Sequence, residues 1–99
     1  MLSVLYQRKI TCFAEVLQEL RILDADAGMR ILCKYQGRQC FGFVTRSLKG
    51  YVIMVYSLKV AGKRRVPDRR LVVREFGDEE GLESFLARVV ARPVKAFAY

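Results

Sequence analysis

The stretch Met29-Arg30-Ile31-Leu32-Cys33-Lys34-Tyr35-Gln36-Gly37-Arg38-Gln39-Cys40-Phe41-Gly42-Phe43-Val44-Thr45 reads as two β-strands joined by a turn. β-Branched and aromatic residues fill both arms, and Gln36-Gly37 suits a tight reversal. With a two-residue turn, Tyr35 faces Arg38, Cys33 faces Cys40 and Ile31 faces Gly42. Successive side chains of a strand point to opposite sides, so this register sorts the hairpin into two faces. Met29, Ile31, Cys33, Cys40 and Val44 take one face, which is plainly a core face. Arg30, Leu32, Lys34, Gln39, Phe41, Phe43 and Thr45 take the other, which mixes aromatics with cations.

Working outward, residues 51–60 and 70–76 carry the same strand-like composition, and Lys49-Gly50 is a second turn pair. A turn of two or of four residues leaves the parity unchanged. Val52, Met54, Tyr56 and Leu58 therefore join Phe41 and Phe43. In residues 70–76, Leu71 and Val73 suit the core face, which sets Arg70 and Arg74 beside the aromatics. Glu75 then shares the core-facing parity, a local contradiction. Residues 2–6 offer a short edge strand, and residues 94–99 a further strand or a partner contact.

Two helices flank this sheet. Phe13, Val16, Leu17, Leu20 and Leu23 recur at helical spacing after Thr11 as the N-cap, with Gly28 as the closing residue. Leu82, Phe85, Leu86, Val89 and Val90 form a second stripe. Asp78, Glu79 and Glu80 complement the dipole at its start, Arg88 and Arg92 at its end, and Pro93 stops it. The expected fold is α+β: an antiparallel four- to five-stranded sheet with one N-terminal and one C-terminal amphipathic helix. A chain of 99 residues has room for one domain, with residues 93–99 as a tail or homodimer contact through Phe97 and Tyr99.

The formal charge of +8 is concentrated in the middle of the chain. Residues 29–74 hold twelve cations against one anion, Asp68, whereas residues 1–28 and 75–99 are each slightly acidic. Such a field draws polyanions. Arg outnumbers Lys twelve to six, and Arg is the better group for forked phosphate contacts and for stacking on bases. The absence of Asn, with much Arg and Val, points to a thermophilic source, while three Cys and three Met point away from one. No apolar run approaches the roughly 18 residues of a membrane span, and the first residues meet Arg8 and Lys9 too soon for a secretory signal. A cytoplasmic location is expected.

The mixed sheet face is the candidate site. Single-stranded nucleic acid exposes base faces and a charged backbone, and a protein holds both with surface aromatics ringed by cations. Phe41, Phe43 and Tyr56 are the stacking candidates, provided that no helix covers them. Arg30, Lys34 and Arg74 are phosphate contacts, together with the run Lys63-Arg64-Arg65-Val66-Pro67-Asp68-Arg69-Arg70. Pro67 makes this run an irregular loop, so Lys63, Arg64, Arg65, Arg69 and Arg70 are expected to point into solvent. A solvated edge that merely keeps sheets apart would not need so many cations.

Phe41-Gly42-Phe43-Val44 resembles the aromatic signature of RNA-recognition-motif proteins, in which Phe41 and Phe43 would stack on bases. Gln39, Cys40 and Arg46 depart from that pattern. That fold also places a helix where residues 51–56 read as a strand, so the likeness is local. The order helix, basic four-stranded sheet, helix is similar to the ThermoDBP-like single-stranded DNA-binding proteins of hyperthermophilic archaea, across roughly residues 10–92. That resemblance implies a cleft for single-stranded DNA, with Phe41, Phe43 and Tyr56 as an apolar floor. Arg30, Lys34 and the 63–70 run would be its basic rims. Gly37-Arg38 and Gly42 resemble an Sm-like barrel, without the Asp and Asn usual there.

Catalysis has little to stand on. The chain has no His and no paired-cysteine motif, so neither a zinc site nor another cofactor is expected. The carboxylates Asp78, Glu79, Glu80 and Glu83 are explained by a helix start. Cys33 and Cys40 fall opposite each other, where two free buried thiols are expected over a disulfide. The expected function is sequence-independent binding of single-stranded DNA, with no enzymatic activity. The alternatives are an RNA-binding protein of a ribonucleoprotein and a subunit that docks an acidic protein partner.

Overall fold

In chain order the computed structural model, which describes residues 8–24 and 27–98, has eight elements. They are β1 (Arg8–Ile10), α1 (Phe13–Arg21), β2 (Gly28–Tyr35), β3 (Arg38–Ser47), β4 (Gly50–Ala61), β5 (Arg64–Phe76), α2 (Glu79–Val89) and β6 (Ala96–Ala98). The strands form one antiparallel sheet of order β1-β6-β2-β3-β4-β5. The fold is α+β, with six strands where four or five were expected. The strands beyond the expected central four are β1, at Arg8–Ile10, and the carboxy-terminal β6, which slots between β1 and β2. Residues 2–6 lie outside the described residues.

The central hairpin follows its sequence register. Tyr35 pairs with Arg38, Cys33 with Cys40 and Ile31 with Gly42. Gln36 and Gly37 turn with positive φ, of 52° and 78°, the conformation that a right-twisted two-residue hairpin demands. The next reversal falls on Leu48 and Lys49, one residue earlier than Lys49-Gly50, because Ser47 pairs with Gly50. Gly50 is required for space: a Cβ there would lie 2.0 Å from the Phe76 carbonyl oxygen.

Both helices cover the same face of the sheet. Val16 and Leu20 of α1, and Leu82, Phe85, Leu86 and Val89 of α2, share one buried cluster with Met29, Ile31, Cys33, Cys40, Val44, Ile53 and Val55. Burying a side chain of this size stabilises the fold by roughly 1.5–3 kcal/mol, so this layer dominates its energetics. Gly42 lies on this face, where a Cβ would sit 2.9 Å from Cys33 Sγ. Tyr51 ties the layers together: its hydroxyl donates to the Leu20 carbonyl at 2.9 Å and accepts from Arg46 Nη1 at 2.8 Å.

The helix ends differ in their chemistry. Asp78 caps α2, accepting from the Gly81 amide at 2.9 Å. The α1 N-cap is Cys12 rather than Thr11, and no side chain satisfies its amides. That helix stops at Arg21, not at Gly28: the Ile22 and Leu23 amides reach back three residues, to Glu19 and Leu20, in a tightened last turn. Leu23 is buried just beyond the helix, and Gly28 opens β2.

Candidate nucleic-acid interface

The sheet face away from the helices is built by alternation. In β3, Cys40, Gly42 and Val44 are buried, so Phe41, Phe43 and Thr45 project from the opposite side, each half-buried. Across the strands Phe41 pairs with Tyr56, Phe43 with Met54 and Thr45 with Val52. On the β2 side Arg30 pairs with Phe43, and Leu32 with Phe41. The three stacking candidates meet one another. The Phe41 and Phe43 centroids are 6.2 Å apart at 52°, and those of Phe43 and Tyr56 are 5.5 Å apart at 87°. Phe43, Thr45, Met54, Tyr56 and Pro67 line an open pocket of about 340 Å³. The Tyr56 hydroxyl lies 3.9 Å from Met54 Sδ.

The cations divide into groups. Arg30 and Lys34 lie on the open face, in the rows of Phe43 and Gln39. Arg70 pairs with Tyr56 and so flanks the aromatics from β5. Lys63 and Arg64 stand at the tip of the β4–β5 hairpin, and Arg65 pairs with Val60. The Arg65 guanidinium Nη1 donates to Gln39 Oε1, an exposed contact between β5 and the start of β3. The Arg69 amide donates to Ser57 Oγ at 3.1 Å, which leaves its exposed side chain outside the ladder.

Two expectations need correction. The 63–70 run is not an irregular loop. After Lys63 in the turn it is the first half of β5, paired with β4 from Ala61↔Arg64 to Tyr56↔Arg70, with register shifts on either side of Tyr56. Pro67 is tolerated because β5 is the edge strand, where a missing amide donor costs no ladder bond on its outer side. Nor does Arg74 stand beside the aromatics. It pairs with Ile53 on the helix side, with its guanidinium carbon 5.5 Å from the Phe85 ring centroid. The core-side residues of this strand are Val72, opposite Val55, and Phe76, opposite Tyr51, while Leu71 and Val73 are 37% and 42% exposed. Glu75 consequently falls on the open face, opposite Val52.

Within the tail, Ala96–Ala98 form a strand, and both its edges are taken, by β1 and β2, while Tyr99 lies outside the described residues. Its Phe97 pairs with Arg30 on the open face, and the Arg30 guanidinium carbon lies 5.5 Å from the Phe97 centroid. Sequence reasoning missed Phe97 as a face residue, because three-residue strands give no alternation to read. Cys33 and Cys40 are paired in register, buried and free. Burial pushes the Cys33 thiol up to about 12 and raises that of Cys40.

A second cluster lies at the other end of β4. Arg21, Arg46, Tyr51, Asp78, Glu79 and Glu83 surround an open cavity of about 520 Å³. Arg21 spans Glu79 at 3.6 Å and Glu83 at 3.7 Å, so its charges chiefly pin α1 to α2. Among the described residues no group of three or more His, Cys, Asp or Glu side chains could hold a metal ion. No described helix is long and apolar enough to cross a membrane. In comparison with known proteins, the chain matches no family model, no curated protein and no solved structure.

Proposed function

We propose that the chain binds single-stranded nucleic acid on the open sheet face, without regard to sequence. The observation that carries this reading is a face that no described helix covers, on which Phe41, Phe43 and Tyr56 touch one another, with Arg30, Lys34, Arg65 and Arg70 around them. A base has a flat apolar face for such rings, and stacking contributes about 1–3 kcal/mol per base. The backbone phosphates that follow each base then meet guanidinium and ammonium groups one strand away. The pocket between Phe43, Tyr56 and Pro67 offers a base an edge-on wall as well as a floor. Every base has a flat face to stack on these rings, hence the expected lack of sequence preference.

The likeness to ThermoDBP-like proteins favours DNA, and the local aromatic signature favours RNA. Fluorescence anisotropy with matched DNA and RNA oligonucleotides, single- and double-stranded, tests the reading. Single strands are expected to bind more tightly than duplexes, and affinity is expected to fall steeply with salt as counterions are released. Equal affinity for both forms defeats stacking. A second reading, docking of an acidic protein segment, is favoured by one observation: no described strand pairs with the outer edge of β5, which carries Arg64, Arg65, Arg69 and Arg70. No binding of any oligonucleotide at low salt would favour it.

A further inference from the structure

Strand β6 adds an aromatic ring to the open face at a distance from the first three. Phe97 has Lys9 as its register partner on β1 and Arg30 as its partner on β2. Arg30 in turn pairs with Phe43, which pairs with Met54. One row therefore crosses the sheet as Lys9, Phe97, Arg30, Phe43 and Met54. Phe97 is half-buried, and Arg30 holds its guanidinium carbon 5.5 Å from the ring centroid, within cation–π range.

We propose that Phe97 and Arg30 form a second base-stacking subsite, so that a bound strand crosses the β-strands from the β5 side to β6. This rests on the nucleic-acid reading above and adds a path, a polarity of contacts and a ligand geometry to it. Phe43 and Phe97 are two strand spacings apart, roughly 10 Å. Bases stacked as in a duplex are only ~3.4 Å apart, so the two rings cannot serve neighbours in one continuous stack. The ligand is a splayed single strand, with Arg30 in the gap beside the phosphates that join the two bases. A guanidinium plane also stacks on a base, so Arg30 and Phe97 together present a platform rather than a lone ring. Exposed Lys9 ends the row with one more cation. A duplex cannot splay in this way and reaches neither ring.

The chain contains no Trp, so Phe97→Trp and Phe43→Trp each introduce a single indole whose emission reports base stacking. The probe is oligothymidylate of about twelve nucleotides, within the range of known single-strand site sizes. Both variants are expected to be quenched on binding. Phe97→Leu keeps an apolar side chain on the sheet without the ring; its affinity is expected to fall about tenfold at an unchanged melting temperature. Quenching of Phe43→Trp with a silent Phe97→Trp, or full affinity in folded Phe97→Leu, overturns the second subsite and leaves the first intact. Quenching of Phe97→Trp with a silent Phe43→Trp overturns the path between them. Failure of wild-type protein to bind the probe at low salt overturns the nucleic-acid reading itself.

Discussion

Tyr56 stands edge-on to Phe43, with ring centroids 5.5 Å apart and planes at 87°. Edge-to-face pairs of this kind contribute about 0.5–1.5 kcal/mol beyond the area they bury, so each ring fixes the other's orientation. Removing either one should therefore disturb both as stacking surfaces. Phe43→Ala and Tyr56→Ala are each expected to weaken oligothymidylate binding by about ten- to a hundredfold. The double variant should lose less than the product of the two, because the residues are in contact. Anisotropy titrations on variants shown to be folded by circular dichroism give the cycle directly.

Charge contacts should separate from ring contacts in their salt dependence. Arg70 lies opposite Tyr56 and Lys34 opposite Gln39, both on the open face, whereas Arg74 lies opposite Ile53, exposed on the helix side. Arg70→Ala and Lys34→Ala are each expected to lower the slope of log affinity against log salt by about 0.7–0.9. Arg74→Ala should leave that slope unchanged and act on stability, through its contact with Phe85. An equal drop for all three would mean that the protein's overall field, not the face, sets affinity.

The two faces of the central hairpin could be read from sequence because its parity was over-determined. Gln36-Gly37 fixed the turn, and Ile31, Cys33, Cys40 and Val44 all had to be inside together. Strand β5 had no such anchor. Leu71-Val72-Val73 is apolar at three successive positions, so either parity puts a hydrophobic residue inside. Counting two residues against one chose Leu71 and Val73, whereas the edge position makes Val72 sufficient. The shifts around Tyr56 then restored Arg70 to the open face, since a bulge inserts a residue without turning its neighbours over. For β6 the sequence shows only a short tail after Pro93. Its place between β1 and β2 is a long-range pairing that no local pattern carries.

The cysteines should differ sharply in reactivity. Cys12 is exposed, while Cys33 and Cys40 are buried and free. Cys33 is held up at about 12 against an ordinary thiol value of 9.0, first by burial and then by the neighbouring Cys40. A thiol reagent is expected to modify Cys12 alone in the native protein, and all three cysteines after unfolding. The same shift makes stability pH-dependent. Below about 9 the thiol is protonated folded and unfolded, and its contribution is fully present. Above 9 the unfolded chain loses the proton and the folded one keeps it, so stability falls as pH rises toward 12, by up to about 1.4 kcal/mol per unit. Tyr51, also raised by burial, steepens the fall above 10.0. Urea midpoints of wild type and Cys33→Ala at rising pH isolate the thiol: the variant's alkaline loss should be shallower.

Glu75 offers a gain-of-affinity test that a purely structural role would not produce. It lies exposed on the open face at the end of the row that holds Val52 and Thr45, next to the row of Met54 and Phe43. A carboxylate about 10 Å from a phosphate in water-like surroundings repels it by roughly 0.4 kcal/mol, or about twofold in affinity. Glu75→Gln should remove that repulsion, and Glu75→Lys should convert it into attraction, for about fourfold overall. Both gains should vanish at high salt, where charges this far apart are screened. Glu80→Gln on α2 changes net charge by the same amount from the helix side and serves as the control. If Glu80→Gln raises affinity as much as Glu75→Gln does, the strand is not bound on the open face. If Glu75→Gln alone raises it, the carboxylate and the phosphates share one side of the sheet.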